Sequence, residues 1–166
     1  MSGIGRVSVE DYLRYSEKPN AEYRDGVLIP KAMPTAFHAI IQYALLVLLR
    51  NQGAQALPEL TVRISPSRFL VPDVCVVEDL VEPYPTKSVL LCCEILSAED
   101  RLGAMLAKCE EYHAWGVPFC WVIDPMKQTA CEYHSGSEPV RADSNSSLRA
   151  GEFSVNLAQL FAALKS

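Results

Sequence analysis

The chain has 166 residues, 49% of them hydrophobic and 21% charged, which is enough to bury a core without staples and excludes a wholly disordered chain. No apolar run reaches the ~18 residues a membrane-spanning helix needs, and the opening MSGIGRVSVEDY lacks a signal-peptide core, so a cytoplasmic protein with no membrane partner is expected. The net charge of −5 is spread evenly, with 8 basic and 10 acidic residues in positions 1–83 and 7 and 10 in positions 84–166; no basic stripe favours tight, non-specific binding of nucleic acid.

The predicted elements follow in chain order. No linker or repeat divides the sequence, so one domain over residues 1–166 is expected. Ser8 is placed as an N-cap, with Asp11 at the third helical position, and a short helix runs to about Ser16, ended by Pro19 and Asn20. AEYR and VLIPK flank Asp25-Gly26, a two-residue hairpin signal. Pro34-Thr35 opens a long helix in which Ile40, Ile41, Ala44, Leu45, Leu48 and Leu49 recur at helical spacing, with Gly53 at its end. Strands are predicted over 57–64, 69–77 and 88–96, the last reading VLLCCEIL and so covered on both faces. A helix follows over 99–115, closed by Gly116. VPFCWVID is the next buried strand, stopped by Pro125, and a further strand covers 129–134. Residues 135–151 read as a polar loop, and 156–164 as an amphipathic closing helix. The strand–helix–strand passage over 88–124 requires a crossover, so those two strands should be parallel. The sum is an α/β fold around a central mixed sheet.

The six cysteines (Cys75, Cys92, Cys93, Cys109, Cys120 and Cys131) include no C-x-x-C pair. They read as reduced, buried, small hydrophobes rather than as a zinc site or a nucleophile. The acids within apolar strands are harder to place, because an ionised carboxylate buried without a partner is very costly. Glu94 lies inside VLLCCEIL and Asp73 inside FLVPDVCVV, one strand earlier. A shared divalent cation would make both tolerable. The alternatives are an arginine pairing or a strand-end position for Glu94, and a strand start for Asp73, which follows a proline.

Pro72-Asp73 with Glu94 after 21 positions resembles the PD-(D/E)xK nuclease superfamily. The chain is more closely similar to the Uma-two family of restriction-endonuclease-like nucleases. The shared segments are SVEDYL, AEYRDGVLI with Glu22 and Gly26, His38 in the first long helix, VPDVCVV, CEILSAEDR and KCEEYHAWGVPFCWVIDP, together covering roughly residues 8–135. The resemblance implies a restriction-endonuclease-like core of helix, three strands, helix and strand. It implies Asp73 and Glu94 as carboxylate ligands of Mg²⁺ or Mn²⁺, with the Ile95 carbonyl as a third ligand, and DNA as the substrate of a metal-activated water.

The sequence departs from the superfamily pattern where a lysine should follow the second acid by two residues. Leu96 stands there, and Lys108 on the following helix occupies the position to which some branches move that lysine. The family's Asp one turn before it is Ala104 here, with Asp100 and Arg101 nearby. Lys108 is read as catalytic or as an exposed helix lysine near Glu111. Glu22 either helps hold metal or is a surface acid of the hairpin. His38 either joins the site or is a satisfied histidine at the helix start. Tyr112, Trp115 and Trp121 are assigned to the core. A homodimer is expected, since many nucleases of this fold pair to cut two strands. The competing functions are an inactive binding or assembly domain that retains the fold, and a hydrolase of other phosphoesters.

Overall fold

The computed structural model describes residues 5–15 and 20–165. Its elements are α1 (Val9–Leu13), β1 (Ala21–Arg24), β2 (Val27–Pro30), α2 (Ala36–Arg50), β3 (Gln55–Pro58), β4 (Val62–Ser65), β5 (Arg68–Leu70), β6 (Val74–Val77), β7 (Leu91–Ile95), α3 (Leu102–Trp115), β8 (Phe119–Asp124), β9 (Thr129–His134), β10 (Val140–Ala142), β11 (Ser147–Ala150), β12 (Phe153–Asn156) and α4 (Leu157–Ala162), followed by a 3₁₀ turn at Ala163–Lys165. A six-stranded sheet has the order β10-β9-β8-β7-β6-β3, a four-stranded sheet has the order β2-β1-β5-β4, and β11-β12 form a separate hairpin. Among the described residues only β7 and β8 pair in parallel, and α3 connects them as the crossover that the sequence requires.

Local chemistry sets most of the boundaries. The Ser8 hydroxyl accepts the Asp11 amide at 3.1 Å and caps α1; the expected end of that helix, from Ser16 to Pro19, lies outside the described residues. Asp25 and Gly26 both have positive φ, 49° and 97°, as a type I′ turn requires. Thr35 caps α2 through the His38 amide. Helix α3 begins at Leu102 rather than at position 99, and Gly116 closes it in the left-handed conformation.

Three expectations are corrected. The predicted strand over 57–64 is two strands in different sheets, β3 and β4, because Glu59 adopts a left-handed φ of 52° and turns the chain. The predicted strand over 69–77 likewise divides into β5 and β6 around Pro72, whose ring leaves no N–H for the ladder. Residues 135–151 are not a loop throughout. They hold β10, which pairs with β9, and β11, which pairs with β12.

The central sheet is covered on both faces. On one side Ile41, Leu45 and Leu49 of α2 pack with Leu157, Leu160 and Phe161 of α4 against Val74, Val76, Leu91, Cys93, Ile95 and Trp121. On the other side Cys109 and Tyr112 of α3 meet Cys75, Cys92, Leu96, Cys120 and Val122. All six cysteines are free and buried, and Tyr112 and Trp121 are fully buried. Trp115 is partly buried against the α3 side. Among the described residues, no helix is long and apolar enough to cross a membrane.

Candidate functional site

The strand register brings the two unexpected acids together. Strands β6 and β7 pair antiparallel, with Val74 opposite Cys93 and Cys75 opposite Cys92. Asp73 immediately precedes Val74 and Glu94 immediately follows Cys93, so the two acids stand at the same end of this strand pair. Alternation sorts the faces: Val74 and Val76 share one with Cys93 and Ile95, and Cys75 and Val77 share the other with Cys92. Glu94 therefore belongs to the α3 side, while Asp73, in the bend just before β6, meets Lys31, His38 of α2 and the Ile95 amide. Both line a cleft of ≈ 520 Å³, together with Glu22, Lys31, His38, Glu59, Ile95 and Lys108.

All the anticipated side chains converge there. Asp73 and Glu94 are each 3% exposed, and Glu22 and Lys108 each 6%. These numbers decide against the surface readings of Glu22 and Lys108. Lys108 is not the partner of Glu111, which pairs instead with Arg24 and Arg68. From the inner face of α3 the Lys108 ammonium reaches Glu22 Oε2 at 2.6 Å and Glu94 Oε1 at 2.8 Å. One helical turn later the Tyr112 hydroxyl donates to the same Glu94 oxygen at 2.8 Å. Glu22 is fixed by the Val71 amide, which donates to its Oε2 at 2.7 Å. Leu96 sits in the apolar layer beneath α3 and brings no charge to the cleft, and the Lys108 ammonium reaches Glu94 from that helix.

Asp73 is held from three directions. The Ile95 amide donates to its Oδ2 at 2.7 Å. The Lys31 ammonium lies 2.7 Å and His38 Nε2 3.3 Å from its Oδ1. His38 thus joins the site; its Nδ1 is buried and makes no hydrogen bond within the protein. Lys31, Glu59 and Gln42 are the members that the sequence reading missed. Lys31 also donates to Glu59 Oε2 at 3.1 Å and to the Val71 carbonyl at 2.8 Å. Gln42 Nε2 donates to Glu59 Oε1 at 3.2 Å and to the Asp73 carbonyl at 2.8 Å.

Burial and charge act in opposite directions on these groups. Burial alone would raise Asp73, but the His38 hydrogen bond and the Lys31 ammonium hold it well below the usual carboxylate range. Glu94 is pushed up to about 7 by burial, against the pull of Lys108. Burial opposes the charge on Lys31 and Lys108, yet the surrounding carboxylates raise both. His38 is raised as well, its desolvation outweighed by Asp73.

Counted as fully ionised, the four carboxylates of Glu22, Glu59, Asp73 and Glu94 outnumber the two ammonium groups by two before His38 is counted. An all-oxygen donor set with that excess of carboxylates, beside an orphaned histidine nitrogen, fits a hard divalent cation such as Mg²⁺ or Mn²⁺. Among the described residues, no group of three or more His, Cys, Asp or Glu side chains stands ready-arranged around one point. The carboxylates are turned onto the lysines and backbone amides described above.

Two of the solved structures that resemble this one are as follows. One is described as a putative nuclease belonging to DUF820 from Anabaena variabilis; it has 22% sequence identity and a TM-score of 0.80, with 95% of this chain and 99% of that chain covered. The other, from the cryo-EM structure of a DrdV–DNA complex, has 20% identity and a TM-score of 0.46, covering 63% of this chain and 67% of that chain. No protein of curated function matched the sequence. The first likeness agrees with a restriction-endonuclease-like fold. The sequence matches the Uma2 family, described as "putative restriction endonuclease", over residues 9–159, and the chain belongs to that family.

Proposed function

We propose that the cleft hydrolyses the phosphodiester bonds of DNA and depends on Mg²⁺ or Mn²⁺, in the manner of the PD-(D/E)xK nucleases. The observation that carries this reading is the meeting of Asp73, Glu94 and Lys108 in one buried cleft, with the acids at the same end of the β6–β7 pair. Membership of the restriction-endonuclease family makes DNA the first substrate to test. Asp73, Glu94 and the peptide carbonyl of Ile95 would hold the cation. When bound, such an ion supplies Lewis-acid stabilisation of a phosphoryl oxygen and a more acidic water.

The protein's own groups provide the rest. The Ile95 amide and the Tyr112 hydroxyl hold the two carboxylates in the cleft, and binding a cation would require both acids to turn from their present ammonium partners. Lys108 brings a permanent positive charge to the place where negative charge builds on the phosphate. Glu22 holds that ammonium against Glu94 and fixes its direction. Cutting both strands with one site per chain calls for two copies, so the active assembly is read as a homodimer.

A second reading is favoured by the ion pairs themselves. Asp73 and Glu94 already have ammonium partners in Lys31 and Lys108, as suits a binding domain that keeps the fold without the chemistry. Incubation of the purified chain with labelled DNA and Mg²⁺ or Mn²⁺, with and without chelator, separates the two. Cleavage should require the metal and be abolished by Asp73→Asn and by Glu94→Gln, both chosen to preserve volume. Metal-independent cleavage, or cleavage that survives both substitutions, would rule out this site. No cleavage and no metal uptake by the parent would favour the binding domain.

A further inference from the structure

We infer that Lys31 is a built-in cation occupying the second of two cation positions in the cleft, so that the native chain takes one divalent ion rather than two. The inference rests on reading the cleft as a cation site. Its basis is the environment of the Lys31 ammonium, a three-oxygen cage. Asp73 Oδ1 lies at 2.7 Å, the Val71 carbonyl at 2.8 Å and Glu59 Oε2 at 3.1 Å. All three ammonium protons have an acceptor, which is what a buried lysine needs to stay charged.

This cage is separate from the Lys108 group, where the acceptors are Glu22 and Glu94. Asp73 belongs to the cage and is also tied to the strand that carries Glu94, its Oδ2 accepting the Ile95 amide at 2.7 Å. A carboxylate common to two neighbouring cation positions is the arrangement that a two-metal site uses. Here the second position is filled from within the chain.

The cage is built rather than incidental. Glu59 adopts a left-handed φ of 52°, unusual for a residue with a side chain. Its amide donates to the Asp73 carbonyl at 3.2 Å, and Gln42 holds its other carboxylate oxygen. The lysine is equally anchored. It follows Pro30 at the end of β2, and its own amide donates to the Asn20 carbonyl at 2.8 Å. Octahedral Mg²⁺ needs oxygens at roughly 2.0–2.1 Å, so the same three oxygens would have to move in by roughly 0.6 to 1.1 Å to accept a divalent ion.

The test counts Mn²⁺ bound to the full chain without DNA, by titration calorimetry and by electron paramagnetic resonance of the free ion. Lys31→Met removes the charge but keeps most of the stem, and should bind one equivalent more than the parent. Adding Glu59→Gln to that variant should return the count to the parental value. Lys31→Gln gives the same comparison if the methionine variant does not fold, and circular dichroism melting shows which variants are folded. Equal counts in the parent and both Lys31 variants would overturn the inference, as would an extra equivalent that survives Glu59→Gln. A parent that binds none beside a Lys31→Met variant that binds one upholds the cage and sinks the metal-dependent reading of the native site. No binding by any of them overturns both.

Discussion

Lys108→Met tests the electrostatics of the cleft most directly. The ammonium serves two carboxylates, Glu22 at 2.6 Å and Glu94 at 2.8 Å, and all three side chains are at least nine-tenths buried. Methionine retains most of the volume, so the packing loss is small. The main effect is two buried carboxylates left with one counter-ion fewer. Removing one partner of a buried ion pair costs about 3–5 kcal/mol. In a chain of this size each kcal/mol moves the melting temperature by about 2–4 °C, so a fall of about 6–20 °C is expected at neutral to alkaline pH. The pH dependence adds a second requirement. Glu94 already has a folded-state pKa of about 7, above its ordinary 4.5. A carboxyl raised in this way contributes full stability below its unfolded value and loses it as pH rises through the folded value. Without Lys108 only burial remains strong, and the pKa climbs further. The deficit of the variant should therefore widen as pH rises through about 7, where the parent's Glu94 ionises in the folded state and the variant's does not. Urea unfolding and calorimetry in chelator-containing buffer measure it. A deficit below ~1 kcal/mol at higher pH would refute the buried-pair account, because that is the scale of an exposed pair. A deficit that grew on acidification would refute it too.

The remaining predictions concern the frame of the site. Gly116→Ala should cost more than ~1 kcal/mol, since φ is +117° and the new Cβ would lie 3.1 Å from Ser88 Oγ; an unfolding midpoint equal to the parent's would show that the α3–β8 junction relaxes freely. The thiols should be inert in the native protein, because burial raises Cys75 to about 12 and Cys92 and Cys93 well above their ordinary values. Ellman's reagent should therefore titrate almost none of the six at first and all of them in denaturant. Rapid native labelling of Cys92 or Cys93 would contradict the packing around α3.

The legible part of the site was the part that violates a local rule. Glu94 in VLLCCEIL and Asp73 in FLVPDVCVV stood out because apolar strands do not carry acids without reason, and the two strands were adjacent in the chain. Glu22, His38 and Lys108 needed the family resemblance, since an acid in a hairpin or a lysine on a helix violates nothing. Lys31, Glu59 and Gln42 left no trace. Lys31 lies 42 positions from Asp73 and 28 from Glu59, and only the docking of the β1–β2 hairpin beside β6 brings them together. The strand divisions at Glu59 and Pro72 carried visible signals. Pro72 removes a ladder donor, and Pro58 with the following acid marks the other break, but the β-rich composition on either side concealed both. The strands β10, β11 and β12 were harder to see. They are three or four residues long, and β10 is mostly exposed, so burial imposes no alternation to read.

The cluster is difficult to explain by stability alone. Elsewhere in the sheet the same two-sided burial is met by valine, cysteine, leucine and tryptophan. Replacing buried ionic groups with packed apolar side chains is often neutral or stabilising. Four carboxylates and two ammoniums in one cleft are therefore an arrangement that packing does not demand. They gather where the sheet can deliver them, at one end of the β6–β7 pair, and where α3, the hairpin and α2 each present a side chain from a different direction. The groups are not matched one for one: four carboxylates meet two ammoniums and the His38 imidazole, and Asp73, Glu94 and Glu22 are almost fully removed from water. A buried excess of carboxylates raises the affinity for a cation and lowers the stability of the unfilled state together. Binding of Mn²⁺ should consequently raise the melting temperature of the parent, and the gain should shrink in Glu94→Gln, where one of the four carboxylates is already gone.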